Sequence, residues 1–167
     1  PWAVGQDLDL LAAGTRFADL NGDGRADLID TRGQGWFVHL NGADGLASPI
    51  PMDLPASFAA LSSDLPELKV QDLNGDGLAD LLLLGRDTGL LAYGTGDGFT
   101  DALELVMPLV LEDPGAVRIA DLDRDGLGDL VVVEAGHVQW SRGLVGGGFG
   151  EPHLIPRPEG ASFDAVL

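Results

Sequence analysis

Asp19-Leu20-Asn21-Gly22-Asp23-Gly24-Arg25-Ala26-Asp27-Leu28 decides the reading of this chain, because it recurs. Asp72-Leu73-Asn74-Gly75-Asp76-Gly77-Leu78-Ala79-Asp80-Leu81 is nearly the same string. Asp121-Leu122-Asp123-Arg124-Asp125-Gly126-Leu127-Gly128-Asp129-Leu130 is a looser third copy. The first Asp residues are 53 and 49 positions apart. A feature repeated at about 50 residues marks a repeat architecture.

Alternate oxygen-bearing side chains around a glycine suit Ca²⁺, a hard cation that takes about 6–8 oxygen ligands. The first loop offers Asp19, Asn21, Asp23 and Asp27, with the carbonyl of Arg25. The second offers Asp72, Asn74, Asp76 and Asp80, with the carbonyl of Leu78. The third offers Asp121, Asp123, Asp125 and Asp129, with the carbonyl of Leu127. About three Ca²⁺ ions are expected. The sixth residue, Gly24, Gly77 or Gly126, sits where an EF-hand loop turns sharply. The back half departs from an EF-hand. Its twelfth residue is Asp30, Leu83 or Val132 instead of Glu, and no amphipathic helix flanks it. Ligation therefore closes at the ninth residue, which predicts weak sites with dissociation constants of about 10⁻⁴–10⁻³ M. With four carboxylates, the third loop is expected to bind most tightly.

The flanks of each loop read as strands. Thr15–Ala18, Leu68–Gln71 and Val117–Ala120 alternate ahead of the loops. Short apolar runs follow, Leu28-Ile29, Leu81–Leu84 and Leu130–Val133, with the length of buried strands. A Gly-marked turn leads to a third strand at Trp36–Leu40, Leu90–Tyr93 and Val138–Ser141. Aligned on the turn glycines, His39, Tyr93 and Trp140 share a position. A fourth strand is expected to begin at Leu46, Phe99 and Phe149. The fold class is thus all-β: a β-propeller segment of about three four-stranded antiparallel blades, each with a calcium loop between its first two strands.

The expected limits are 14–54, 66–107 and 115–155 within a single segment, 1–167. Residues 1–13 would form a strand of a preceding blade, and 162–167 the start of a further one. Three blades do not close a ring of about 4–8. The chain opens Pro1-Trp2-Ala3-Val4, with no initiator Met, no basic start and no apolar signal core. It reads as a piece of something longer.

Composition narrows the function. The 167 residues carry a net charge of −18, and the loops hold ten of the 27 acids. Lys69 is the sole lysine. Such a surface suits neither nucleic acid nor an anionic membrane. No apolar run reaches the roughly 18 residues of a membrane span. The absence of cysteine excludes disulfides and thiolate chemistry. His39, His137 and His153 have no metal spacing. No nucleophile elbow, phosphate loop or spaced carboxylate pair appears. The expectation is therefore no enzyme and no catalytic residue. Trp36, Tyr93 and Trp140 are expected to be core, with sugar stacking as the alternative.

These loops and the strands after them resemble FG-GAP, or VCBS, repeats. Phe149-Gly150-Glu151-Pro152 matches the Phe-Gly element of that repeat. The resemblance covers roughly residues 14–155. It implies calcium-bearing blades of a propeller, as in integrin α chains and in secreted or surface bacterial proteins. The texture is also similar to the propeller of toxin-complex B and Rhs-like proteins. The implied function is a non-enzymatic extracellular scaffold for protein–protein interaction or adhesion. Its partner is another protein or the remaining blades. The alternatives are a carbohydrate-binding lectin and a non-catalytic part of a larger enzyme.

Overall fold

A computed structural model describes residues 13–32, 35–134 and 137–155. Apart from Ala13, the segments expected to belong to neighbouring blades, 1–13 and 162–167, lie outside these. The described chain contains no α-helix.

Three four-stranded antiparallel sheets follow one another along the chain. The first comprises β1 (Thr15–Ala18), β2 (Asp27–Asp30), β3 (Phe37–His39) and β6 (Ile50–Pro51). A small hairpin of β4 (Asn41–Gly42) and β5 (Gly45–Leu46) interrupts it. The second comprises β7 (Leu68–Gln71), β8 (Asp80–Leu84), β9 (Thr88–Ala92) and β10 (Leu103–Val106). The third comprises β11 (Arg118–Ala120), β12 (Asp129–Glu134), β13 (His137–Gly143) and β14 (Phe149–Ile155). In each sheet the loop joins the first two strands, and its ninth residue, Asp27, Asp80 or Asp129, opens the second strand.

The fourth strands correct the expectation in two sheets. Leu46 belongs to the β4–β5 hairpin, opposite Asn41, and the fourth strand starts at Ile50. Phe99 makes only an isolated bridge to Gly94, and the fourth strand starts at Leu103. The turn residues fold back on themselves before the chain rejoins the sheet. In the third sheet, a register shift between Ser141 and Gly143 keeps one ladder continuous, and β14 does begin at Phe149.

The third-strand alignment is also corrected. His39 lies opposite Leu28, Ala92 opposite Leu81, and Ser141 opposite Leu130. The equivalent set is therefore His39, Ala92 and Ser141, and the next position holds Leu40, Tyr93 and Arg142. The glycines fall at different places in the turns before these strands, so they are not a common origin. The ninth-position Asp is.

Period-two alternation puts successive side chains on opposite faces, and both faces of the middle sheet are used. Leu68, Leu81 and Ala92 pack with Ile29, Trp36 and Val38 of the first blade. Leu82, Leu84 and Leu91, on the other face, pack with Leu130 and Val132 of the third. This two-sided burial explains the unbroken Leu81–Leu84 run. Fully burying one such side chain contributes about 1.5–3 kcal/mol.

The linkers complete both cores. Phe58, in the first linker, is fully buried between the first two sheets. Its segment forms turns, with the Phe58 amide donating to the Pro55 carbonyl at 2.8 Å, rather than a helix. Leu111 plays the same part between the second and third sheets. Asp113 then caps a single 3₁₀ turn, Pro114–Ala116. The Lys69 ammonium donates to the carbonyls of Pro66 and Gly115, at 2.6 and 3.2 Å, tying the second sheet to this linker. The described blades form an open series of three, not a closed ring.

Candidate metal centre

The first carboxylate of each loop ties the loop to its own backbone. Asp19 accepts the amides of Gly22 and Gly24 at 2.8 and 2.7 Å, one on each oxygen. Asp72 accepts those of Gly75 and Gly77 at 2.7 and 2.9 Å. Asp121 accepts Arg124 at 2.6 Å and Gly126 at 3.1 Å. Shorter Asx turns follow. Asn21 accepts the Asp23 amide, Asn74 the Asp76 amide and Asp123 the Asp125 amide, at 2.9, 2.9 and 3.2 Å. The fifth-position Asp then accepts the seventh-position amide, Arg25, Leu78 or Leu127, at 2.9, 2.8 and 2.9 Å. This pattern is a local alternative to strand or helix hydrogen bonding, which Asp and Asn favour.

The fourth position requires a left-handed backbone. Gly22 and Gly75 have φ of 75° and 79°, and Arg124 adopts the same region at 65°. A side chain there costs roughly 1 kcal/mol. Gly75 has no such freedom, because a Cβ would lie 2.5 Å from the Gly126 carbonyl oxygen. Adjacent loops therefore touch along one rim. The Ala79 amide donates to the Asp19 carbonyl at 2.7 Å, and the Gly128 amide to the Leu73 carbonyl at 2.9 Å.

The ninth-position aspartates have a role the sequence reading missed. Asp27, Asp80 and Asp129 are fully buried. One oxygen of each accepts the second-position amide, Leu20, Leu73 or Leu122, at 3.1, 2.9 and 2.7 Å. The other accepts an amide at the end of the third strand, from Asn41, Gly94 or Gly143, at 2.7, 2.9 and 2.8 Å. Each ninth Asp thus joins the loop, the second strand and the third-strand turn. Burial, working against these two amides, pushes the Asp80 carboxyl up to about 6.

The donor set fits a hard cation. Every candidate side chain offers oxygen, and a carboxylate has about four lone-pair sites, so two amide bonds leave capacity for an ion. In the third loop, Asp121, Asp123 and Asp129 each offer an oxygen, and these lie within 4.8 Å of one another. In the first two loops Asn21 and Asn74 stand where the third has Asp123.

The fifth-position carboxylate carries a different donor on its remaining oxygen in each loop. Arg25 reaches Asp23 at 3.1 Å. The Asn74 amide reaches Asp76 at 2.9 Å. Arg142, on β13, reaches Asp125 at 2.8 Å and also Asp123 at 2.8 Å. The Leu127 amide, with help from Arg142, holds the Asp125 carboxyl below its usual range.

The aromatic residues divide. Trp36 is buried in the first core, and its indole N–H donates to the Leu61 carbonyl at 2.6 Å. Tyr93 packs against the second core. Trp140 is partly exposed and lies against His153, with ring centroids 5.5 Å apart. His39 is buried, with Nδ1 3.0 Å from the Ala47 carbonyl oxygen.

Comparison with known proteins agrees with this construction. The FG-GAP-like repeat family matches over residues 72–132, which hold the second loop and run through the third. No curated protein sequence matches the chain. Among solved structures, a chain of the Photorhabdus luminescens Tc holotoxin pore aligns with 95% of this chain at 29% identity and a TM-score of 0.66. An Agrocybe aegerita lectin, solved for its recognition of non-reducing terminal N-acetylglucosamine, aligns with 87% at 25% identity and a TM-score of 0.63. The fold is also shared with TcdB2-TccC3, over 70% of this chain at 22% identity and a TM-score of 0.59. The chain spans only 8%, 39% and 6% of the lengths of those three. Residues 72–132 thus carry an FG-GAP-like repeat, within a propeller-like fold that resembles parts of toxin-complex proteins.

Proposed function

We propose that this chain is a calcium-stabilised, non-catalytic propeller segment that presents its surface to a protein partner outside the cell. The observation that carries this reading is the threefold recurrence of one loop construction. The residues that would hold the ions are Asp19, Asn21, Asp23, Arg25 and Asp27; Asp72, Asn74, Asp76, Leu78 and Asp80; and Asp121, Asp123, Asp125, Leu127 and Asp129. Bound Ca²⁺ would neutralise the clustered carboxylates and close each loop on its second strand. Three near-identical sites favour a structural role over a catalytic one, since repetition gives no single reacting centre. The multichain toxin assemblies among the structural neighbours support a protein partner.

A thermal melt in EDTA and in millimolar calcium tests the stabilising role. The melting temperature is expected to fall in EDTA and recover with calcium. An unchanged melt would overturn the proposal.

A second reading is glycan binding, favoured by the similarity to the lectin. A cavity of about 220 Å³ between the first two blades, lined by Leu20, Val38, Leu40, Met52, Asp97 and Phe99, would be its site. The burial of Trp36 removes one of its stacking candidates. A glycan array separates the two readings: defined sugar binding favours the lectin, and a blank array favours the scaffold.

A further inference from the structure

The third loop differs from the other two in a paired way. It has a fourth carboxylate, Asp123, where the others have Asn21 and Asn74. It also has a cation, Arg142, where the residues just after the third strands of the other blades are Leu40 and Tyr93. Those three positions are equivalent, because the residue after each donates its amide to the buried ninth Asp. The Arg142 guanidinium bridges both Asp123 and Asp125, with contacts of 2.8 Å to each. Arg25 in the first loop differs, since it reaches one carboxylate, Asp23, from within the loop itself. Arg142 reaches two from a separate strand.

We infer that Arg142 is a built-in counter-cation of the third loop, which weakens calcium binding there and holds the loop in shape without the ion. This rests on the calcium reading above. A divalent ion entering among Asp121, Asp123, Asp125 and Asp129 meets a positive charge already on two of its ligands. Either the guanidinium swings away or the ion binds against its repulsion, and both lower affinity. The fourth carboxylate therefore does not make the third site the tightest. Its charge is spent on Arg142. In calcium-free protein the same pair relieves the repulsion that four neighbouring carboxylates would otherwise feel.

The test is a calcium titration followed by NMR at the amides of Gly24, Gly77 and Gly126, one in each loop. Arg142→Leu copies the residue of the first blade. It is expected to lower the calcium midpoint at Gly126 roughly two- to fivefold, on the scale of exposed ion pairs. The midpoints at Gly24 and Gly77 stay in place. In EDTA the same variant melts below the parent, and calcium narrows the gap. Asp123→Asn, which keeps Arg142, is expected to raise the Gly126 midpoint above those of the other loops. A Gly126 midpoint indifferent to Arg142→Leu, while all three amides respond to calcium, would overturn the role of Arg142 and leave the calcium reading standing. No response at any of the three in the parent would overturn both.

Discussion

The Asp80 carboxylate accepts the backbone amide of Gly94 at 2.9 Å across 14 residues of sequence, while its other oxygen accepts that of Leu73. Asp27 and Asp129 repeat the arrangement. Each blade is thus fastened at one buried carboxylate. Asp80→Ala leaves two amides without their acceptor. Since each unmet donor costs about 1–3 kcal/mol, a loss of roughly 2–6 kcal/mol is expected in chemical denaturation, even in EDTA. A loss seen only with calcium present would mean that Asp80 acts through the metal alone.

Two glycines in the second loop separate steric crowding from backbone strain. Gly75 and Gly77 have φ of 79° and 87°. A Cβ on Gly75 meets the Gly126 carbonyl oxygen at 2.5 Å, whereas one on Gly77 meets nothing within 4 Å. Gly77→Ala should cost roughly 1 kcal/mol, the strain of a left-handed residue. Gly75→Ala should cost at least twice that, because the second and third loops must part. Equal losses in a denaturant titration would show that the two loops do not press on each other.

Asp80 also predicts opposite pH responses with and without calcium. Its carboxyl is raised from 3.8 to about 6, chiefly by burial, with repulsion from Asp76 and Asp72 adding to the effect. In metal-free protein the folded state then holds a proton, between about pH 4 and 6, that the unfolded chain has released. This group therefore adds stability as pH falls through about 6, and the addition is complete below about 4. With calcium, protonating a ligand expels the ion, so acidification destabilises. The comparison that isolates Asp80 is the parent against Asp80→Asn, melted from pH 7 to 4 in EDTA and in calcium. A difference of the same sign in both would contradict the assignment.

The sequence showed much of this architecture because the period-two pattern and the loop motif coincide. β1 and β7 occupy Thr15–Ala18 and Leu68–Gln71 as read from alternation. The fourth strands were less legible. Asn41, Gly45 and Gly94 signal turns, but not whether a turn pairs with itself, as β4 and β5 do, before the chain rejoins the sheet. The third-strand register was misread because the turn glycines have no fixed spacing; counting from the buried Asp gives it correctly. Among the site residues, the string of candidate ligands was visible as a repeat. The fastening role of the ninth Asp was not, since its partners at Asn41, Gly94 and Gly143 are backbone amides 14 residues away. Arg142 left a trace: a lone cation on the third strand of the one blade with an extra carboxylate.

Native mass spectrometry of the chain in calcium counts the ions directly. Three bound Ca²⁺ per chain are expected, falling to two on Asp76→Ala, which removes a second-loop ligand that is exposed and outside the blade core. A chain that carries no calcium at millimolar concentration, or a count unchanged by Asp76→Ala, would contradict the assignment of these loops as metal sites.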